Sequence, residues 1–211
     1  MQDKELYHIH LKNNQDKKWV VGNTINVDKN FNSIMYQRQM NFSQIIQLSN
    51  GMDKSYQNYS IVIANYFNRI KDLKSIRNED LEELKNLLNI GYQMSFNADF
   101  FKRETALEDC RKSYNDSLPS RLHSIYLCDY DGLNYWKDCL SNSNKKEFDV
   151  FEVNATGNIF KTNEQLLPNE VSTYEEAYND AIKYWNPKLK DCPANTYEYL
   201  VEGKVKILSK I

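Results

Sequence analysis

Cysteine, histidine and glycine are scarce in this 211-residue chain, with four, three and six copies respectively. The cysteines, Cys110, Cys128, Cys139 and Cys192, form no Cys-x-x-Cys pair. Zinc-binding spacing is therefore absent, and they read as reduced thiols, with no metal expected. No Gly-x-Gly-x-x-Gly or P-loop occurs, which excludes phosphate cradling by that route. A Gly-x-Ser-x-Gly elbow and a His-Glu-x-x-His helix are also missing, which excludes the hydrolases and zinc peptidases built on them. Cys128 and His123 are five apart on a strand-like run. They face opposite ways and make no catalytic dyad. No apolar run approaches the roughly 18 residues of a membrane span. The first residues, Met1-Gln2-Asp3-Lys4-Glu5, are polar and mixed in charge, unlike a secretory signal. A soluble, cytoplasmic protein is expected. A net charge of −2 gives no overall attraction for nucleic acid, although a local basic groove is compatible with it.

Apolar residues make up 41% of the chain and aromatic ones 13%, enough to fold one domain around a core. Leu6–Leu11 alternates like a strand, and Trp19-Val20-Val21-Gly22 is β-prone with a turn at its glycine. Helical spacing begins at Ser55 and continues through Ile61, Ala64, Tyr66, Phe67, Ile70 and Leu73. Asn78 caps a second helix with Leu81, Leu84, Leu87, Leu88 and Tyr92 on its apolar side. A third helix, from about Ala98 to Tyr114, carries Lys102, Arg103, Glu104, Glu108 and Arg111, which read as a solvated face. Beyond Pro119 the chain turns β-rich. Strands are predicted at Leu122–Leu127, at Phe148–Val153 and from Ile159, with a turn over Asn154–Asn158. Leu133–Leu140 is a short helix. Ser172 or Thr173 caps another, which Pro187 ends. Tyr197–Val201 and Val205–Leu208 are closing strands parted by Glu202-Gly203. The fold class is α+β: one domain over residues 1–211, with a helical insert at 50–115 and a mostly antiparallel β half.

Four places can carry chemistry. His8 and His10 lie on one face of the first strand, and either can hydrogen-bond a hydroxyl. Tyr126 and Tyr135 are nine residues apart across the Asp131-Gly132 turn and can frame a flat ring. Arg121, just ahead of the tyrosine strand, can neutralise a pyrophosphate or lie on the surface. Glu198, between two tyrosines on a late strand, is either a site carboxylate or a solvent-facing one.

Ile125-Tyr126-Leu127 with Asn134-Tyr135 resembles the Gly-Ile-Tyr-Phe … Asn-Tyr segment of ADP-ribosyltransferases of the His-Tyr-Glu class. That class includes diphtheria-type toxins and poly-ADP-ribose polymerases. Glu198-Tyr199-Leu200-Val201 is similar to the family's catalytic-glutamate strand, and Leu6-Tyr7-His8 to its first strand. The three occur in the family's order and cover both ends of the chain, but not its helical middle. Ile9 and Ser124 stand where the family has glycine.

The resemblance implies a split antiparallel β core and transfer of one ADP-ribose from NAD to a macromolecule, nucleic acid (RNA included) or protein. Glu198 would stabilise the oxocarbenium-like transition state, His8 would hold the adenosine ribose, and Tyr126 and Tyr135 would frame the nicotinamide. By the same analogy the chain is expected to be an intracellular toxin of a toxin–antitoxin or phage-defence system, with a neutralising antitoxin partner. An NAD glycohydrolase, and a non-catalytic nucleotide- or partner-binding module, are the alternative readings.

Overall fold

The computed structural model describes residues 5–12, 18–33, 35–37, 68, 78–144, 147–169 and 172–211. The chain forms two compact units: Met1–Tyr36 with Arg103–Ile211, and Gln37–Lys102. The elements in chain order are β1 (Leu6–Leu11), β2 (Thr24–Val27), α1 (Asn78–Asn115), β3 (Ile125–Leu127), α2 (Leu133–Asn144), β4 (Phe148–Asn163), α3 (Tyr174–Trp185) and β5 (Tyr197–Lys210). The α+β class expected from the sequence is observed, with a five-stranded sheet whose described pairings are all antiparallel.

In the first unit, β4 and β5 form the long ladder on which the other strands are hung. β1 pairs with the early part of β4. β2 and β3 both pair with β5. A single bridge, Tyr7↔Cys128, ties β1 to the end of β3. Alternation along the strands separates two cores. On one face Leu6, Ile125, Leu127, Phe151, Tyr199 and Val201 pack together, with Trp19 against them. On the other, Leu200 packs with Ala181, Tyr184 and Trp185 of α3 and with Leu107 and Cys110 of α1. α3 starts at the expected place. Thr173 and Glu176 form a reciprocal capping box, which satisfies two of the helix's first amides.

The turn predicted at Asn154–Asn158 and the break predicted at Glu202-Gly203 are both absent. Each segment lies inside one continuous strand, because Gly157 and Gly203 are partners in the β4–β5 ladder. Their φ angles are +120° and +150°, a region that side chains other than glycine rarely enter. A Cβ on Gly157 would lie 2.6 Å from the Glu202 carbonyl oxygen, and one on Gly203 would collide with that of Thr156. The punctuation read as a turn and a strand break is thus one close approach of two backbones. Gly203→Ala is expected to destabilise the fold by about 1–3 kcal/mol through backbone strain, measurable as a fall in the denaturant midpoint at unchanged slope.

Three other expectations are corrected. The second and third helices are one element, α1, since Gly91 and its neighbours do not break it. The charged run on α1 is not a solvated face. Glu104 is 1% exposed and Arg111 6%, each tolerated because opposite charges meet it. The turn expected at Gly22 is observed over Val21-Gly22, and the strand that follows it, β2, has no counterpart among the expected strands. In the Gln37–Lys102 unit, Leu81, Leu88 and Tyr92, expected on the apolar side of the second helix, are exposed. The helix expected from Ser55 to Leu73 lies outside the described residues, apart from Asn68. Among the described residues no helix is long and apolar enough to cross a membrane.

Candidate active site

β3 is the element that gathers the site. It pairs with β5 through Tyr126↔Leu200 and is bridged to β1 beside Cys128. The glutamate, tyrosine and histidine segments are therefore neighbours in the sheet. Because Tyr126 stands opposite Leu200, it shares a face with Glu198, two residues earlier on β5. His8 stands opposite Phe151 on β4, and so belongs to the other face.

Glu198 is 4% exposed, so the solvent-facing reading is set aside. The Tyr184 hydroxyl donates to its Oε1 at 2.7 Å, and Arg121 Nη1 donates to the same oxygen at 3.1 Å. Among the described residues, the donors to this carboxylate both meet Oε1 rather than Oε2. Arg121 Nη1 also donates to the Tyr184 hydroxyl, and its Nε donates to Glu104 Oε2 at 2.9 Å. Arg103 closes the far end on Glu104 Oε1 at 3.1 Å. The result is an alternating chain of charges, Arg103–Glu104–Arg121–Glu198, that is neutral overall. Arg121 is 2% exposed and its guanidinium also lies 5.3 Å from the Tyr126 ring centroid and 4.9 Å from that of Tyr184. It is not a surface arginine. Its donors serve these carboxylates, whereas the sequence offers them to a pyrophosphate.

The two carboxylates respond differently to burial. Burial raises the Glu198 pKa, opposed by Arg121 and the Tyr184 hydroxyl and reinforced by the negative charges of Glu104 and Glu164. For Glu104, burial also acts to raise the pKa, but Arg121 and Arg103 outweigh it and hold the group below its usual range. Burial pushes both the Tyr126 and Tyr184 phenols well above theirs, so both stay protonated donors at neutral pH. A carboxylate that is hard to ionise and held on one oxygen is the pattern of a tuned functional group.

His8 reaches the site through backbone. Its Nδ1 lies 3.0 Å from the Tyr126 carbonyl oxygen. A carbonyl only accepts, so Nδ1 carries a proton in this contact. The imidazole stacks on Trp19 at 3.9 Å and 9°, which fixes its plane. His10 lies 5.1 Å from the same indole, farther along β1. His8 is bonded to the tyrosine strand. The Tyr126 hydroxyl donates to the Arg121 carbonyl oxygen at 2.9 Å. That bond anchors the loop leading into β3.

Tyr135 projects from α2. Its hydroxyl donates to Glu164, just after β4, and its ring meets Trp136 edge-on at 5.3 Å. Glu164 is close enough for its charge to act on Glu198, which brings Tyr135 to the same neighbourhood. Glu104, Glu164, Tyr184 and Trp19 are site residues that sequence reasoning misses. Only Glu104 carries a signal, as an acidic residue in a charged run, and that signal points to solvent. Cys128, with its thiol pushed by burial up to about 12, is inert packing. Among the described residues no group of three or more His, Cys, Asp or Glu could hold a metal ion.

A family model described as "Protein of unknown function (DUF2441)" matches residues 6–211. No curated protein matches the chain.

Proposed function

The chain belongs to the DUF2441 family, whose description names no activity, and from the geometry we propose an ADP-ribosyltransferase of the His-Tyr-Glu class with a split antiparallel core. The observation that carries the reading is the bond from His8 Nδ1 to the Tyr126 carbonyl oxygen. It runs between β1 and β3 beside the single backbone bridge Tyr7↔Cys128, while Glu198 lies on β5, the other neighbour of β3. Three segments far apart in sequence thus become neighbours in the sheet, with Tyr126 and Glu198 on one face and His8 bonded to the Tyr126 backbone from the other.

In the proposed reaction NAD is a substrate. The bond from ribose C1′ to nicotinamide breaks, and its electron pair leaves with nicotinamide. The positive charge left on the ribosyl group is stabilised by the Glu198 carboxylate, aided by exclusion of water around it. Oε2, the oxygen turned away from Tyr184 and Arg121, is the one available to a ribose hydroxyl. An acceptor nucleophile then bonds to C1′ and loses its proton to solvent. The His8 imidazole hydrogen-bonds a ribose hydroxyl, and Tyr126 and Tyr135 orient the ring about the scissile bond. The acceptor is a macromolecule, nucleic acid or protein. An intracellular toxin role with a protein antitoxin is part of the same reading and rests on family analogy alone.

The test is incubation of the purified protein with labelled NAD and mixed cellular RNA, DNA and protein. Label is expected on one polymer class with release of nicotinamide. Free ADP-ribose without labelled polymer would replace the transferase by a glycohydrolase. NAD binding without turnover would leave a binding module.

A further inference from the structure

We propose that Tyr184 and Arg121, with Glu104 behind them, are positioning residues that pin Oε1 of Glu198 and so present Oε2 to the substrate. The proposal rests on the reading of Glu198 as the carboxylate of the transfer reaction. Its ground is the asymmetry of the contacts. Both donors meet Oε1, at 2.7 Å and 3.1 Å. A carboxylate held on one oxygen cannot rotate without breaking those bonds, so the direction of the other oxygen is fixed.

The supports are themselves immobilised. Tyr184 is 0% exposed and packs edge-on against Trp185, whose indole nitrogen donates to the Leu107 carbonyl oxygen at 2.8 Å. Thr162, opposite Glu198 in the ladder, donates from its hydroxyl to the Tyr184 carbonyl oxygen at 2.8 Å. The phenol thus sits at the end of a helix that is bonded to both α1 and β4. Arg121 is oriented from behind by Glu104, at 2.9 Å. The charged and titratable groups acting on Glu198 are Arg121, Tyr184, Glu104 and Glu164. Arg103 is the next charge beyond Glu104, and Tyr126 lies beside Arg121.

Two substitutions act on this arrangement with opposite signs. Tyr184→Phe keeps the ring and removes a donor to the charged carboxylate, so Glu198 becomes harder to ionise. Glu104→Gln removes a negative neighbour and leaves Arg121 to Glu198 alone, so Glu198 becomes easier to ionise. The experiment is a pH titration of Glu198 by carbon NMR in the ligand-free, glutamate-labelled protein, beside NAD kinetics of the same variants. Tyr184→Phe is expected to raise the Glu198 midpoint and lower kcat roughly 10- to 100-fold, the effect of one hydrogen bond to a charge, with KM for NAD nearly constant. Glu104→Gln is expected to lower the midpoint. Midpoints that stay put or move together would overturn the proposal, as would a kcat unchanged in Tyr184→Phe. Should Tyr184→Phe fail to fold, the downward shift in Glu104→Gln decides alone. The titration needs no substrate. Absence of NAD turnover in the unaltered protein would therefore overturn the catalytic reading and not the pinning of the carboxylate.

Discussion

Glu198→Gln is expected to abolish NAD turnover while leaving the fold intact. The amide keeps the size of the side chain and can still accept from Tyr184 and Arg121, so the packing of β5 against α3 survives. What is lost is the negative charge beside the developing ribosyl cation. Loss of one such electrostatic group in a dry site costs on the order of 10²- to 10³-fold in kcat. The loss should fall on kcat and leave KM for NAD nearly unchanged, because the charge acts in the transition state. A circular dichroism spectrum and melting curve like those of the unaltered protein, with single-turnover rates on labelled NAD, make the check. Retained activity would remove Glu198 from the catalytic role. The unaltered enzyme carries a matching pH signature. Burial raises the Glu198 pKa and activity requires the ionised form. The rate should therefore rise with pH through a limb displaced above the ordinary carboxylate value of about 4.3.

The largest effect on stability is expected from Arg121→Met. Arg121 is the cation between two carboxylates that are 1% and 4% exposed. Removing it strands both in a medium that cannot solvate them. Breaking such a buried pair by deleting one partner costs roughly 3–5 kcal/mol, a fall in Tm of about 10 °C for a chain of this size. The signs of the linked titrations sharpen the expectation. Glu104 has a lowered folded pKa, so its contribution is present above its unfolded pKa and is lost as pH falls through the folded one. Glu198 has a raised folded pKa, so its contribution is fully present below the unfolded value and is lost as pH rises through the folded one. Without Arg121 both groups prefer to be neutral, and the variant should be relatively less impaired in acid. Denaturant melts at acid and neutral pH provide the measurement. A melting temperature unchanged at neutral pH would show that the charge chain is not a support of the fold.

How far the sequence reaches can be judged residue by residue. The strands that carry His8, Tyr126 and Glu198 are legible because alternation is local, and their adjacency follows from a resemblance in motif order. Thr173 is legible because a capping box is written in four consecutive positions. Tyr184 is legible only as an apolar position of a helix. That its hydroxyl reaches Glu198 depends on which helix face meets the sheet, which no local window contains. Glu104 is misleading because charge patterning favours solvent, and only tertiary pairing with Arg121 and Arg103 reverses that preference. The glycines mislead for a related reason. A glycine required by a neighbouring backbone looks the same in sequence as one required by a turn, and Gly157 and Gly203 are 46 positions apart.

That glycine pair also sets the phase of everything that flanks it in the ladder. Gly203 is locked opposite Gly157, and Glu198 stands five positions before Gly203. Strand side chains alternate with period two, so an odd change in the length of that interval would exchange Glu198 with Tyr199 and turn the carboxylate into the apolar core. The interval is therefore a counted distance. Its parity is constrained as firmly as its buried side chains.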